Sequence, residues 1–204
     1  EVPAETVAKH LEALLHRGDL VEEKSTRIYR KGDLRAEREL ARRLYALASR
    51  KSRKVKREVF GELGGNLDEV QMKAVEQAAK SGLMVLTGGP GTGKTTTTNL
   101  MIRYFEKAGK QVVLAAPTGR AAKRMQEATG RHSSTIHRLL GAKMMDNKLV
   151  FEKDEKDPLD ADVILIDEVS MLDLSLALHL VRAVPKDAQL ILVGDKNQLP
   201  SVGA

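Results

Sequence analysis

Glycine, lysine and threonine are concentrated in one short segment of the chain, LTGGPGTGKTTTTN at residues 86–99. Within it, GGPGTGKT at 88–95 fits the pattern G-x-x-x-x-G-K-[ST]. Glycines in such a loop let backbone N–H groups turn toward phosphate oxygens, and the following helix adds the positive end of its dipole. The segment therefore predicts a site for a nucleoside triphosphate, formed by Gly88, Gly89, Pro90, Gly91, Thr92, Gly93, Lys94, Thr95 and Thr96.

Two side chains of this loop have distinct chemical roles in the prediction. Lys94 would place a mobile positive charge beside the β- and γ-phosphates. Thr95 would offer its hydroxyl to Mg²⁺, as the last residue of the pattern does in loops of this kind. Mg²⁺ is therefore predicted as the cofactor, and hydrolysis of the triphosphate as the chemistry.

Two adjacent acids, Asp167 and Glu168, follow an apolar run in VILIDEVS at 163–170. Carboxylates at the end of a buried strand suit the coordination of Mg²⁺ and the activation of water. Asp167 would bind the metal, directly or through water, and Glu168 would orient and deprotonate the attacking water. Acids that simply face solvent at a strand end are the alternative, which the phosphate loop earlier in the chain makes weaker.

The elements that must position these residues follow an alternating order. Four short apolar runs are continuous rather than alternating, as in strands buried on both faces, namely residues 83–87, 111–116, 163–167 and 190–194. Helical patterns are found between or beside them, at 94–108, 119–128, 134–140 and 174–182. This order predicts an α/β fold with a parallel sheet flanked by helices and right-handed crossovers.

Each apolar run is followed by an unusual loop. The phosphate loop follows the first run, and PTGRAAKR, DEVS and GDKNQLPSVG follow the second, third and fourth. Since the carboxyl ends of parallel strands meet at one edge of a sheet, we expect all four loops at the edge where open α/β folds bind ligands.

The first 60 residues are expected to form a small helical, basic segment, separate from an α/β domain over 61–204. A helix and a short hairpin precede a long charged helix predicted at 33–57, with Leu40, Leu44 and Leu47 on its apolar stripe. A helix followed by a hairpin resembles the second half of a winged helix, and a generic helical cap on the next domain is the alternative.

The net charge of +6 belongs to this first segment. Residues 1–60 contain 16 Lys and Arg against 10 Asp and Glu, a difference that equals the excess of the whole chain. The densest part is RKSRKVKR at 50–57. It is either a solvated helix end or linker, or a contact for the phosphate backbone of a nucleic acid.

Composition excludes several classes of protein. No run of eighteen or more apolar residues predicts a membrane span, and no secretory signal is visible at the start. Cysteine is absent, so disulfides and thiolate metal sites are impossible and an intracellular setting is favoured. The first residue is not methionine and lies in a helical pattern, so we expect an excised fragment of a longer protein.

Five motifs occur in order and at suitable spacing: GGPGTGKT, APTGRAAKRM, TIHRLLG, LIDEVSML and LVGDKNQLPSVG. As a set they resemble the first motor domain of superfamily-one DNA helicases of the RecD/TraA type, over residues 66–204. The first segment resembles, more loosely, the region that precedes the motor in the longer bacterial RecD-like helicases. The resemblance implies a P-loop NTPase (RecA-like) fold and a cytoplasmic, bacterial protein.

The resemblance also implies residue roles. Gln71 matches the glutamine that reads adenine, where an exposed helix glutamine is the alternative, and Gln198 matches the residue that senses the γ-phosphate and relays it to DNA. Together with Lys94 and Glu168, Gln198 forms the expected catalytic set. Contacts to single-stranded DNA are implied for Pro117, Thr118, Gly119, Arg120, Thr135 and His137. Without the resemblance, His137 would be interpreted as a packed or surface histidine.

The activity implied is ATP-driven translocation on single-stranded DNA, 5′ to 3′, in repair or recombination, with membership of a nuclease complex left open. Related helicases carry a second motor domain whose arginines reach the γ-phosphate, so this fragment alone is expected to be nearly inactive. Another P-loop ATPase, such as a clamp-loader-like or transport motor, is disfavoured because PTGRAA, TIHRLLG and GDKNQLP occur together. A DNA-binding module with a degenerate nucleotide domain is disfavoured by the intact Lys94, Thr95, Asp167 and Glu168.

An insertion at 141–158 does not belong to the alternation of strands and helices. Asp146 and Asn147 tolerate left-handed backbone, which predicts a β-hairpin, with a disordered surface insertion as the alternative. In the resembling helicases a small insertion at this place acts as a pin that splits the duplex. Met144, Met145 and Phe151 are then expected to form its apolar surface.

Overall fold

The computed structural model describes residues 2–24, 27–63, 68–89, 91–195, 198 and 201. The helices are α1 (Ala4–His16), α2 (Lys31–Ala48), α3 (Glu58–Glu62), α4 (Glu69–Lys80), α5 (Lys94–Lys107), α6 (Gly119–Thr129), α7 (Ile136–Leu139) and α8 (Leu174–Arg182), with a 3₁₀ turn at Val169–Met171. The strands are β1 (Leu20–Glu23), β2 (Arg27–Arg30), β3 (Leu83–Thr87), β4 (Val112–Ala116), β5 (Ser133–Thr135), β6 (Lys143–Met145), β7 (Lys148–Val150), β8 (Val163–Ile166) and β9 (Gln189–Gly194).

The central sheet has five strands in the order β3-β9-β8-β4-β5, and every adjacent pair is parallel. The four apolar runs are strands β3, β4, β8 and β9, as the sequence predicts. All four side chains of β8 are buried, which explains why its sequence is apolar without alternation. The α/β class with a parallel sheet flanked by helices is therefore confirmed.

The prediction of a helix over 134–140 is wrong at its start. Residues Ser133–Thr135 form strand β5, which pairs with β4 through Leu114 and Ser133, and α7 covers only Ile136–Leu139. The hydroxyl of Thr135 accepts a hydrogen bond from the backbone N–H of Arg138 at 3.1 Å and so caps α7. Three polar residues can form this edge strand because the pairing is supplied by β4.

Apolar side chains pack on both faces of the sheet. One cluster contains Met101, Ile102 and Phe105 from α5, and the other contains Leu176 and Leu180 from α8. Helix α2 belongs to the second cluster, since Leu47 is buried there while Leu40 and Leu44 pack against it, as their spacing predicts. The predicted division into a basic segment over 1–60 and an α/β domain over 61–204 remains a proposal.

Ion pairs of Glu39 and Arg43 join α2 to segments much later in the chain. The Arg182 guanidinium on α8 binds both carboxylate oxygens of Glu39, at 2.8 and 2.5 Å. The Arg43 guanidinium reaches Glu155 at 2.6 Å and Glu39 at 2.9 Å. The hydrogen bond from Arg182, more than the one from Arg43, lowers the pKa of Glu39 to about 2.

The long helix predicted at 33–57 is also wrong at its end. Helix α2 stops at Ala48, and residues 51–56 have no regular structure. Instead, three cationic side chains of the basic run donate to distant backbone oxygens: Arg50 to Ala188 and Arg53 to Asp187, both at 2.6 Å, and Lys56 to Ala108 at 2.9 Å. These bonds attach the basic run to the segment before β9 and to the end of α5.

The insertion forms the predicted β-hairpin. Strands β6 and β7 pair antiparallel, with Met144 opposite Leu149, and the turn residues Asp146 and Asn147 have φ values of 48° and 59°. Exposed apolar surface comes from Met144, Met145 and Leu149. The prediction for Phe151 is wrong: it is half-buried at the base of the hairpin, where its ring packs between those of His137 and His179.

Candidate functional site

The phosphate loop follows β3 directly and leads into α5, which begins at Lys94. Gly93 is the N-cap of that helix and has φ 79°, a left-handed conformation that a side chain would strain. A Cβ added to Gly88 would lie 2.6 Å from Oγ1 of Thr92, whose hydroxyl donates to the carbonyl of Gly89 at 2.8 Å. The glycines therefore allow a tight loop that closes over its own backbone.

The Lys94 ammonium lies inside this loop. Its Nζ donates to the carbonyl oxygens of Gly88 and Gly89, the latter at 2.8 Å. The loop thus holds a positive charge at the N-terminal end of α5, where the helix dipole is also positive. Both features favour an anion at this position.

A cavity of ≈ 540 Å³ opens in front of the loop and joins it to the other strand ends. Most of the described residues that were predicted to bind nucleotide or metal or to act in catalysis line it: Gly89, Gly91, Gly93, Lys94, Thr95, Asp167, Glu168 and Gln198. Strands β3, β8 and β9 are neighbours in the sheet, so their carboxyl ends bring these residues together. The arrangement is the one expected for ligands of open α/β sheets.

Other predicted contacts lie outside the lining of this cavity. Gly88 and Thr92 belong to the loop but do not face the cavity, and Thr96 is exposed one residue further along α5. Gln71 on α4 is half-buried beside the loop, with Nε2 3.9 Å from where a Cβ on Gly93 would stand. Pro90 lies outside the described residues.

The two acids occupy the end of β8. The backbone N–H of Asp167 donates to Ala115 on β4 at 3.0 Å, and its Oδ1 accepts from the N–H of Glu168 at 2.9 Å. Glu168 has a left-handed backbone, with φ 55° and ψ 42°. Burial raises the pKa of Asp167, and the charge of Glu168 raises it further, while the bond from the Glu168 N–H and the charge of Lys94 oppose this.

The donor set suits Mg²⁺ shared with phosphate oxygens. Thr95 and Asp167 line one cavity and offer hard oxygen atoms, and Mg²⁺ in such sites takes one or two protein ligands together with substrate phosphates and water. In the part of the chain that the structure describes, no group of three or more His, Asp or Glu residues could hold a metal by itself.

Further residues line the cavity from α6 and from the second turn of α5, although the sequence motifs assign them no role. Arg124, Met125, Ala128 and Thr129 line the cavity from α6, together with Thr98 from α5. Arg124 follows the PTGRAA segment on an exposed turn of α6. Its place at the cavity depends on the packing of α6 beside α5, where the side-chain amide of Asn99 donates to the carbonyl of Ala128 at 2.9 Å.

The residues predicted to contact DNA lie at two neighbouring strand ends. One group follows β4 and consists of Pro117, Thr118, Gly119 and Arg120. The other is at the end of β5, where Thr135 is the last residue of the strand and His137 lies in α7. The register of the two strands places Ala116 beside Thr135. Thr118 caps α6 by accepting from the N–H of Ala121 at 3.2 Å. Gly119 and Arg120 are exposed, whereas His137 is half-buried with its ring centroid 6.0 Å from that of Phe151.

Comparisons with known proteins agree with this geometry. A family model described as an AAA domain matches residues 71–204. The ATP-dependent RecD2 DNA helicase of Deinococcus radiodurans is 47% identical over 138 residues, 68% of this chain and 19% of that protein. The RecBCD enzyme subunit RecD of Mycolicibacterium smegmatis is 42% identical over 159 residues, 67% of this chain and 28% of that protein.

A solved structure gives the same indication. A structure concerned with DNA unwinding at forked double-stranded DNA by two coordinating Pif1 helicases matches with a TM-score of 0.50 and 27% identity, over 69% of this chain and 36% of that chain. The present chain spans less than a third of the length of each of the two curated relatives named above. No helix in the described part of the chain is long and apolar enough to cross a membrane.

Proposed function

We propose that this chain, a member of the AAA domain family whose resemblance to RecD-type helicases is confirmed, is the ATP-binding motor domain of an ATP-dependent DNA helicase. The observation that carries the proposal is the single cavity that joins Lys94, Thr95, Asp167, Glu168 and Gln198. These are the residue types that phosphoryl transfer from ATP to water requires.

Each of these side chains has a defined task in hydrolysis. Lys94 and the loop N–H groups bind the β- and γ-phosphates. Thr95 and Asp167 are the residues that would hold Mg²⁺, which supplies charge neutralisation for the phosphates when bound. Glu168 stands next to Asp167 and takes the proton from the attacking water. Gln198, four residues beyond the end of β9, detects the terminal phosphate.

Single-stranded DNA is the proposed partner. The loop after β4 and the end of β5 offer backbone groups, threonine hydroxyls and Arg120 at one edge of the sheet, beside the nucleotide cavity. Base stacking at this edge has little support, because Phe60, Tyr104 and Phe105 pack with one another and Phe151 packs between histidines. The remaining aromatic residues, Tyr29 and the exposed Tyr45, belong to β2 and α2. Contacts to the DNA backbone predominate, so sequence preference is weak.

The parent protein works as a two-domain motor in this proposal. Among the described residues, the cations that line the cavity are Lys94 and Arg124. Arginines from a second motor domain would complete the stabilisation of the transition state, so the 204-residue chain alone hydrolyses ATP slowly, by about a thousandfold or more relative to the parent. We place the parent in the bacterial cytoplasm, moving 5′ to 3′ in repair or recombination, with any nuclease-complex subunits unassigned.

Strand separation by the full-length parent protein tests this proposal. Duplexes with a single-stranded 5′ tail, a 3′ tail or no tail are incubated with ATP and Mg²⁺, and the released strand is measured. Unwinding of the 5′-tailed duplex alone is expected, and it should require ATP. Unwinding only from a 3′ tail would overturn the direction, and the absence of ATP-dependent unwinding on every substrate would overturn the helicase assignment.

A further inference from the structure

The loops that follow β8 and β9 touch each other at two points. A Cβ added to Gly194, at the end of β9, would lie 2.7 Å from Cγ2 of Val169, so the two backbones approach closely. Beyond this contact, the Ser170 hydroxyl donates a hydrogen bond to Oε1 of Gln198 at 3.1 Å. Ser170 belongs to the 3₁₀ turn directly after Glu168.

In the structure the Ser170 hydroxyl holds the oxygen end of the Gln198 amide, which bears on the end that can meet a phosphate. A glutamine amide has one acceptor oxygen and an NH₂ group with two donors, and the oxygens of a phosphate anion act as acceptors. When Oε1 is held by Ser170, the NH₂ group is the end left for the cavity, which Gln198 lines together with Lys94. The opposite orientation would point an acceptor at the phosphate and repel it.

We propose that Ser170 is the positioning residue for Gln198: its hydroxyl holds Oε1 and thereby presents the Nε2 donors to the terminal phosphate. This inference rests on the proposed function and deepens it. Ser170 contacts no substrate and acts through Gln198. Because Ser170 follows Glu168 in the same short turn, the bond also ties the phosphate-detecting side chain to the loop that carries the catalytic carboxylate.

Nucleotide binding by the full-length parent gives the first test. Ser170→Ala should weaken binding of a non-hydrolysable ATP analogue by about three- to tenfold, the loss expected for one hydrogen bond. Binding of ADP, which lacks the terminal phosphate, should change less than about twofold. Ser170→Thr retains the hydroxyl and should restore binding of the ATP analogue, and Ser175→Ala, on an exposed turn of α8, should alter neither ligand.

A double-mutant cycle on ATP hydrolysis gives the second test. Ser170→Ala should lower kcat in the parent by about three- to tenfold and should have no further effect in the Gln198→Ala background. Equal effects in both backgrounds, parental behaviour of Ser170→Ala, or a Ser170→Thr variant as impaired as Ser170→Ala would each overturn the positioning role. If the parent bound no nucleotide at all, the proposed function itself would fail, which is a distinguishable result.

Discussion

The ring centroids of Phe151 and His179 lie 4.5 Å apart, so the base of the β6–β7 hairpin is packed onto helix α8. On its other side the same Phe151 ring meets His137, at the end of the predicted DNA-contacting segment. The hairpin tip, in contrast, exposes Met144, Met145 and Leu149. A fixed base with an apolar tip is the construction that a duplex-splitting pin would need.

Shortening this hairpin should separate unwinding from hydrolysis. Lys143 and Val150 are paired across the two strands, so replacing residues 144–149 by Asn-Gly leaves a two-residue turn between them. We expect strand separation by the parent protein to be lost, while DNA-stimulated ATP hydrolysis stays within about twofold, since Phe151 and the nucleotide cavity are untouched. Loss of both activities would indicate a folding role, and retention of both would place the pin elsewhere.

Lys94→Ala should abolish productive nucleotide binding, because the phosphates lose the cation that the loop holds at the start of α5. Equilibrium titration with a fluorescent ATP analogue measures this, and the affinity should fall by at least about a hundredfold, in keeping with charge-assisted bonds to two phosphates. Lys123→Ala, on the exposed face of α6, is the matched control and should bind normally. Unchanged affinity in Lys94→Ala would remove Lys94 from the site.

Glu168→Gln should separate binding from chemistry in the parent protein. The substitution preserves the shape of the side chain and removes the base, so nucleotide affinity should remain while kcat falls by about a hundredfold or more. Single-turnover hydrolysis of bound ATP is the direct measurement. Glu127→Gln, an exposed α6 carboxylate paired with Lys123, should hydrolyse ATP normally. Turnover at the parental rate in Glu168→Gln would assign the base to another group.

The ion pair between Glu39 and Arg182 should make stability depend on acid pH. Because the folded-state pKa of Glu39 is lowered to about 2 from 4.5, its stabilisation is complete above pH 5 and is lost as the pH falls toward 2. Glu39→Gln should therefore lower the free energy of unfolding by about 1–2 kcal/mol at pH 7 and by much less near pH 2.

Urea unfolding of the 204-residue chain at several pH values measures this difference. Glu69→Gln is the control, since Glu69 and Lys73 form a pair that is 79% and 70% exposed and should contribute little. A cost of Glu39→Gln that stays constant from pH 7 to pH 2 would show that the carboxylate charge is not responsible.

Sequence reasoning succeeded where a residue's environment is fixed by its immediate neighbours. Strand β8 is apolar throughout because both of its faces are covered. Asp167 and Glu168 follow the strand directly, so its position in the sheet determines where they lie. The phosphate loop likewise needs its glycines for local geometry, as the left-handed Gly93 shows.

Sequence reasoning failed where distant segments decide the outcome. Helix α2 ends at Ala48, and the Arg50 guanidinium beyond it donates to the carbonyl of Ala188, 138 residues away in the chain. Strand β5 exists because β4 offers an edge, and Arg124 reaches the cavity because α6 packs beside α5. Phe151 is apolar, as a surface for an unstacked base pair requires. Its ring nevertheless lies at the base of the hairpin, where it packs against His137 of α7 and His179 of α8.

Steady-state ATP hydrolysis by the full-length parent protein, with and without single-stranded DNA, measures whether this domain is a DNA-dependent motor. Since the cavity around Lys94, Glu168 and Gln198 lies near the strand ends assigned to DNA, we expect single-stranded DNA to raise kcat by about tenfold or more. The stimulated rate should disappear in Lys94→Ala. Hydrolysis that is indifferent to DNA, or that persists in Lys94→Ala, would contradict the assignment of this chain as the motor domain of a DNA helicase.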